Sequence, residues 1–179
     1  MTRSGPRVRI DVWSPEDFDL LAAVNAPEMM THLGGPETEE QLLRRHKRYV
    51  AMADGPPEAG RMFRIVLLPE EVPVGTIGFW EAMWDDEPVY ETGWSVLPAF
   101  QGRGAATGAA VAVAERARAV GARRYLHAYP SIANGASNAV CRKAGFELLG
   151  ERLFEYPVGR LLRSNVWRLD LLPDGPTGK

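Results

Sequence analysis

Gln101 to Ala106 reads QGRGAA. The stretch follows a largely apolar run closed by a proline, Gly93 to Pro98 (GWSVLP), and opens a long alanine-rich segment. A strand, a glycine turn and a helix in that order leave backbone N–H groups unpaired at the helix start, where the helix dipole adds partial positive charge. Such a start accepts an anion, and glycines let the anion reach the backbone with no Cβ in the way. Phosphate loops differ in where their glycines fall, so the spacing here decides the fold.

Three patterns compete. The loop GxxxxGK[ST] occurs nowhere in the chain. The dinucleotide pattern GxGxxG fails at its end, because Gly102-x-Gly104-x-x-Thr107-Gly108 puts the last glycine one residue late. No acidic residue ends the next predicted strand, Tyr125-Leu126-His127-Ala128. The third pattern, [QR]-x-x-G-x-[GA], is filled by Gln101, Gly104 and Ala106.

Working outward, Arg7 to Val12 (RVRIDV) alternates and predicts a first strand. Ser14-Pro15-Glu16-Asp17 predicts a helix start, with Phe18, Leu21 and Val24 facing inward and an end near Asn25. Pro36-Glu37-Thr38-Glu39 predicts the start of a second helix that runs to Ala53, where Asp54-Gly55-Pro56-Pro57 breaks it. MFRIVLL (62–68), VGTIGFWEAMW (74–84) and VYETGWSVL (89–97) are β-branched and aromatic, and turn residues separate them into an antiparallel meander. Beyond the loop, Ala106, Ala110, Val113, Ala117 and Val120 form one helical stripe, ended by Gly121. RRYLHAY (123–129) predicts a strand, Gly135 to Ala144 a short helix, and FELLGERLFEY (146–156) and SNVWRLDL (164–171) two more strands. The order is β-α-α-β-β-β-α-β-α-β-β, an α/β chain with a mixed (α+β) sheet. The helix-joined fourth and fifth strands should be parallel neighbours, and the rest mostly antiparallel. Residues 1–172 are expected to form one domain, and PDGPTGK (173–179) a disordered tail.

The net charge of −2 lacks the basic excess of a general nucleic-acid binder. Cys141 is the one cysteine, and His32, His46 and His127 are scattered, so no metal is expected. No apolar run approaches the roughly 18 residues of a membrane span, and MTRSGPRVRID lacks a signal-peptide core. A cytoplasmic protein with no membrane partner is the expectation.

Downstream of the loop lies Asn134 to Phe146, NGASNAVCRKAGF. Together with Gln101, Gly104 and Ala106, it resembles the GNAT superfamily of N-acetyltransferases. In that family the loop binds a pyrophosphate. Asn134-x-x-Ser137 followed by Lys143-x-Gly145-Phe146 is similar to the second signature in the branch that acetylates ribosomal-protein N-termini, and Glu91-x-Gly93-Trp94 is similar to that branch's E-x-G-[YW]. The resemblance is clear over residues 75–150, and the strand order extends it over most of the chain.

The resemblance implies a GNAT-like fold with acetyl-CoA as cosubstrate and direct transfer of the acetyl group to an amine in a ternary complex. Gln101, Gly102, Arg103, Gly104, Ala105 and Ala106 would hold the CoA diphosphate. Backbone N–H groups of Trp94, Ser95 and Val96 would polarise the thioester carbonyl. Asn134 would cap the next helix and contact CoA or a water. Glu91 is implied as the base, acting through water, with Glu81 as the alternate. An alkyl amine costs about 4–5 kcal/mol to deprotonate at pH 7, an α-amine only about 1 kcal/mol, so the base matters most for alkyl amines. Many family members protonate the leaving thiolate from a tyrosine whose place Cys141 takes here; Ser137 matches the serine of the ribosomal branch. Cys141 reads as a small buried apolar residue rather than a nucleophile.

The expected acceptor is a primary amine, either a peptide N-terminus or a small cationic amine such as a polyamine or an aminoglycoside. No Lys or Arg falls between Arg64 and Arg103, whereas Glu70, Glu71, Glu81, Asp85, Asp86, Glu87 and Glu91 do, a bias that favours cationic acceptors. Trp80, Trp84 and Trp94 are candidates for an apolar pocket. The basic second helix (Arg44, Arg45, Lys47, Arg48) reads as a solvated face. A homodimer is compatible with all of this. A non-catalytic acyl-CoA sensor of the same fold is the alternative.

Overall fold

Alternation of inward and outward residues builds a seven-stranded mixed sheet in the order β1-β2-β3-β4-β5-β7-β6. The structure, a computed structural model, describes residues 7–155 and 158–172. The strands are β1 (Arg7–Val12), β2 (Gly60–Leu68), β3 (Val72–Trp84), β4 (Glu87–Val96), β5 (Tyr125–Ala128), β6 (Glu147–Glu155) and β7 (Leu161–Asp170). The helices are α1 (Phe18–Val24), α2 (Glu39–Asp54), α3 (Ala105–Val120) and α4 (Gly135–Lys143). The predicted order of elements and the parallel β4–β5 pair are both present. The expected tail and the Tyr156 end of the sixth strand lie outside the described residues.

Both early helices start later than predicted. Pro15–Asp17 forms a 3-10 turn, because the Asp17 carboxylate accepts from Ser14 N (2.9 Å) and closes the chain on itself. Phe18 is only partly buried, while Leu21 and Val24 are buried as expected. At α2 a reciprocal cap wins over Pro36: Thr38 Oγ1 accepts from Gln41 N (3.2 Å) and Gln41 Oε1 from Thr38 N (2.9 Å). Glu37 stays outside the helix and ties to Asn25, whose side chain bonds both its N–H and its carbonyl.

Strand alternation divides the core in two. Phe63, Ile65, Ile77, Phe79, Tyr90 and Leu126 join the main core with α3. The small buried side chains of α3, Ala105, Ala109, Ala110, Val113, Ala114 and Ala117, let that helix lie close to the sheet. Met62 and Trp80, one residue out of phase, face the opposite side, where α1 and α2 cover β2 and β3 with Leu21, Val24 and Leu42. α3 therefore supports the sheet from one side, and the other side carries an open cleft. Among the described residues no helix is long and apolar enough to cross a membrane.

Candidate active site

The glycine loop adopts the conformation its residues call for. Gly102 and Gly104 have φ of 73° and 83°, the left-handed region that favours glycine. Gly104 precedes α3, and its carbonyl accepts from Gly108 N at 3.0 Å. The N–H groups of Ala105, Ala106 and Thr107 therefore have no partner within the helix. A Cβ built on Gly102 meets nothing within 4 Å, so the loop is open where an anion would approach. This donor set suits a diphosphate. Arg103 is exposed, with its guanidinium 5.7 Å from the Phe100 ring centroid. The Gln101 side chain, expected at the ligand, instead donates to Val96 O at 2.9 Å. It fastens the loop to the end of β4. Gly104→Ala should force a left-handed alanine, costing about 1–2 kcal/mol. We expect KM for acetyl-CoA to rise about tenfold or less, which steady-state kinetics will measure.

β4 and β5 pair only at Tyr90–Leu126 and Glu91–His127. Beyond this point the chain after β5 follows β7 instead: Asn165 N donates to Pro130 O (2.9 Å) and Ile132 N to Arg163 O (3.1 Å). The sheet forks, and β4 from Thr92 to Val96 keeps β3 on one edge and lacks a strand on the other. The backbone of Trp94, Ser95 and Val96 lies along that free edge. Their side chains diverge. Trp94 packs against the main core, and Ser95 points the other way beside Thr76, lining a cavity of about 40 Å³.

Glu91 stands at the base of the fork, in register with Trp80 on β3 and His127 on β5. It faces the α1–α2 side and is half-buried. Burial pushes its carboxyl above the usual range, against a smaller opposing effect of a hydrogen bond with Trp80. Glu81 is in register with Tyr90, hence on the opposite face, and pairs with Arg123 at 2.8 Å. The two candidate bases thus lie on opposite faces of the sheet.

The sequence reading missed His127 and Tyr129. His127 is fully buried, with Nδ1 3.0 Å from Tyr129 Oη. Burial, and secondarily Arg168, push its pKa down to about 4, so the imidazole is neutral at physiological pH. Tyr129 stacks on Trp84 with centroids 5.6 Å apart. The alternation within RRYLHAY already put residues 125, 127 and 129 on one face, and the parallel β4–β5 pairing would have placed that face beside Glu91.

On α4, Asn134 caps the helix as expected, its Oδ1 accepting from Ser137 N at 3.1 Å. The Ser137 hydroxyl makes no hydrogen bond to protein among the described residues, and the residue is half-buried. Cys141 is fully buried and its thiol is pushed up to about 12, so it holds its proton at neutral pH and packs as an apolar residue. Asn138, also missed, is buried and bonds four partners across α4 and β7.

Trp80 forms the floor of a cleft of about 630 Å³ with Met62, and α2 supplies Arg45, Arg48, Tyr49, Ala51 and Met52. The solvated face expected on α2 is present at Arg44, Lys47 and Arg48, which are exposed, while Arg45 is partly buried. Arg44 does pair with Glu40 in solvent, but Arg45 and Arg48 face the cleft. Three of the seven carboxylates in the acidic run are paired within the fold. Arginines from distant segments neutralise several carboxylates: Arg9 on Glu71 (2.7 Å), Arg123 on Glu81 (2.8 Å) and Arg152 on Asp85 (2.9 Å). Of the three tryptophans only Trp80 lines this cleft.

A sequence profile described as an acetyltransferase (GNAT) domain matches residues 7–147. No curated protein matches the chain. Among solved structures, a GNAT-family acetyltransferase from Bacillus anthracis is 20% identical, with a TM-score of 0.74 over 94% of this chain and 97% of that one. A Salmonella typhimurium acetyltransferase that modifies the N-terminal serine of a 50S ribosomal subunit protein is 18% identical, with a TM-score of 0.74 over 92% and 95%. The aminoglycoside acetyltransferase AAC(6')-Ib in complex with coenzyme A is 19% identical, with a TM-score of 0.71 over 91% and 94%. At these identities the likeness is one of fold.

Proposed function

The chain belongs to the GNAT acetyltransferase family, and from that premise we propose that it moves the acetyl group of acetyl-CoA to a primary amine by direct attack in a ternary complex. The observation that carries this reading is the fork: β4 leaves β5 immediately past Glu91, with the unpaired amides of the glycine loop at the end of the same strand.

Acetyl-CoA supplies an acyl group already activated as a thioester. The N–H groups of Ala105, Ala106 and Thr107, with Gly102 and Gly104, hold its diphosphate, Arg103 and Asn134 flank it, and Gln101 fixes the loop against Val96. Leu97 N bonds Val74 O on β3, so the alternating amides of Trp94 and Val96 face the free edge and donate to the carbonyl oxygen as it gains charge. Glu91 accepts the amine's proton through water. Its raised pKa makes it a better base than a solvated carboxylate. The free hydroxyl of Ser137 donates to the departing sulfur. A thiol of pKa about 8.5 costs only about 2 kcal/mol to release as thiolate at pH 7, which caps what any donor can contribute.

The test is thiol release from acetyl-CoA in the presence of a panel of peptides, small amines and antibiotics. Turnover with an amine is expected, and Ser137→Ala should lower kcat by no more than about 30-fold. Binding of acetyl-CoA with no turnover on any amine would leave a non-catalytic acyl-CoA binder and overturn the proposal.

A further inference from the structure

The cleft over Trp80 carries information about the acceptor that the strand carboxylates do not. Arg45, Arg48, Tyr49 and Met52 recur on α2 at spacings of three and four, so they share one helical stripe, and that stripe faces Trp80 and Met62. Among the described residues no Asp or Glu lines this cleft. Glu91 stands at its edge as the cross-strand partner of Trp80. Arg48 makes no ion pair among the described residues, and it is exposed. Arg45 pairs with Glu37 and approaches Tyr49 Oη at 3.5 Å, yet its buried Nε has no partner. The cleft thus has a carboxylate at one end, an apolar and aromatic middle, and guanidinium donors along its helical wall.

We propose that the acceptor is a primary amine joined to an apolar or aromatic body and an anionic group, as in an α-amino acid with a large apolar side chain or the apolar N-terminus of an acidic peptide. The proposal rests on the acetyltransferase reading and narrows its acceptor. The amine meets Glu91. The body lies between Trp80, Tyr49, Met52 and Met62, where flat rings and flexible thioethers accommodate apolar groups of varied shape. The anion takes Arg48, which is exposed and makes no ion pair among the described residues, since guanidinium matches a carboxylate in a two-pronged bond. A polyamine or aminoglycoside would instead bring its further cations against Arg45 and Arg48, a like-charge contact that disfavours it. In the reaction the amine nitrogen bonds to the thioester carbonyl carbon and the carbon–sulfur bond breaks. The amine's proton passes to Glu91, and the thiolate leaves stabilised by a hydrogen bond from the Ser137 hydroxyl and takes its proton from solvent. The product is an N-acetylated acid.

Thiol-release kinetics on matched acceptors test this: phenylalanine, phenylalaninamide, phenethylamine, spermidine, an aminoglycoside, and peptides beginning with phenylalanine followed by acidic or basic residues. Rates are compared per neutral amine. We expect the carboxylated member of each pair to have kcat/KM about tenfold or more above its amide or basic counterpart. Arg48→Glu should erase or invert that ratio, and the ratio is internal to each variant, so a partly misfolded sample does not mimic the result. Whether the free amino acid or the acidic peptide turns over faster identifies the source of the anion, and either supports the proposal. Preference for spermidine or the aminoglycoside, or an acid-to-amide ratio indifferent to Arg48→Glu, overturns it and leaves the acetyltransferase reading intact. If no amine is acetylated, both fall.

Discussion

Glu91→Gln is expected to slow acetyl transfer at pH 7 by about 100-fold or more while raising the melting temperature by about 1–3 °C. The two effects have one cause. Glu91 is held among Trp80, His127 and the strand backbone, where burial raises its pKa above the ordinary 4.5. A raised carboxyl pKa means that the folded state binds the proton more tightly than the unfolded chain. Stability therefore falls as pH climbs from the ordinary pKa through the folded one, and at pH 7 the charge is a net cost to folding. Glutamine keeps the shape and removes the charge, so stability rises. It also removes the base. As pH approaches the acceptor's own pKa, about 8 for an α-amine and about 10 for an alkyl amine, the amine deprotonates without help and the variant should regain on the wild type. On the acid side, wild-type activity should fall as Glu91 is protonated. A pH–rate profile and a thermal melt of both proteins check this. Equal rates across pH would remove Glu91 from the mechanism, and a lower melting temperature would contradict the desolvated charge.

What could be read from the sequence was mostly local. The glycine loop and the small-residue stripe of α3 lie within a few turns of chain, and their spacing alone predicts a helix start open to an anion. The Asn134 cap was legible for the same reason. The parallel β4–β5 pair followed from the helix between those strands. What escaped was non-local. Nothing in SNVWRLDL says that β7 inserts between β5 and β6, yet that insertion draws the chain after β5 away from β4 and opens the fork. The acidic run favours a cationic acceptor when read as charge along the chain, and the fold brings Arg9, Arg123 and Arg152 onto three of its members. A count of charges along a segment cannot anticipate partners from other segments. Within α2, Arg45, Arg48, Tyr49 and Met52 already formed a stripe, but the sequence does not say whether a stripe faces water or a cleft.

The other large effect is expected at Asn138, beside the proposed thiolate donor. Asn138 Nδ2 donates to Ser131 O (3.0 Å) and Asn134 O (2.8 Å), and Oδ1 accepts from Asn165 Nδ2 and Trp167 Nε1, both at 2.8 Å. Both donors and both lone pairs of the amide are engaged in a nearly dry site. Asn138→Ala leaves the buried Trp167 indole N–H and the Asn165 amide without this partner, whereas the Ser131 carbonyl keeps Asn134 N at 3.0 Å, and a buried unsatisfied group costs about 1–3 kcal/mol. A loss of about 3 kcal/mol is expected, a fall in melting temperature of about 6–12 °C. Trp167→Phe removes one orphaned donor in advance, so the double variant should lose less than the sum of the singles if the bond between these side chains carries the effect. Strict additivity would place the damage elsewhere. Because the same amide ties α4 to the turn at Ser131 and to β7, it also sets where Ser137 sits. Asn138→Ala should therefore lower kcat where the protein remains folded, with the drop partly absent in a Ser137→Ala background. A kcat effect of equal size in both backgrounds would show that Asn138 acts on rate by some route other than Ser137.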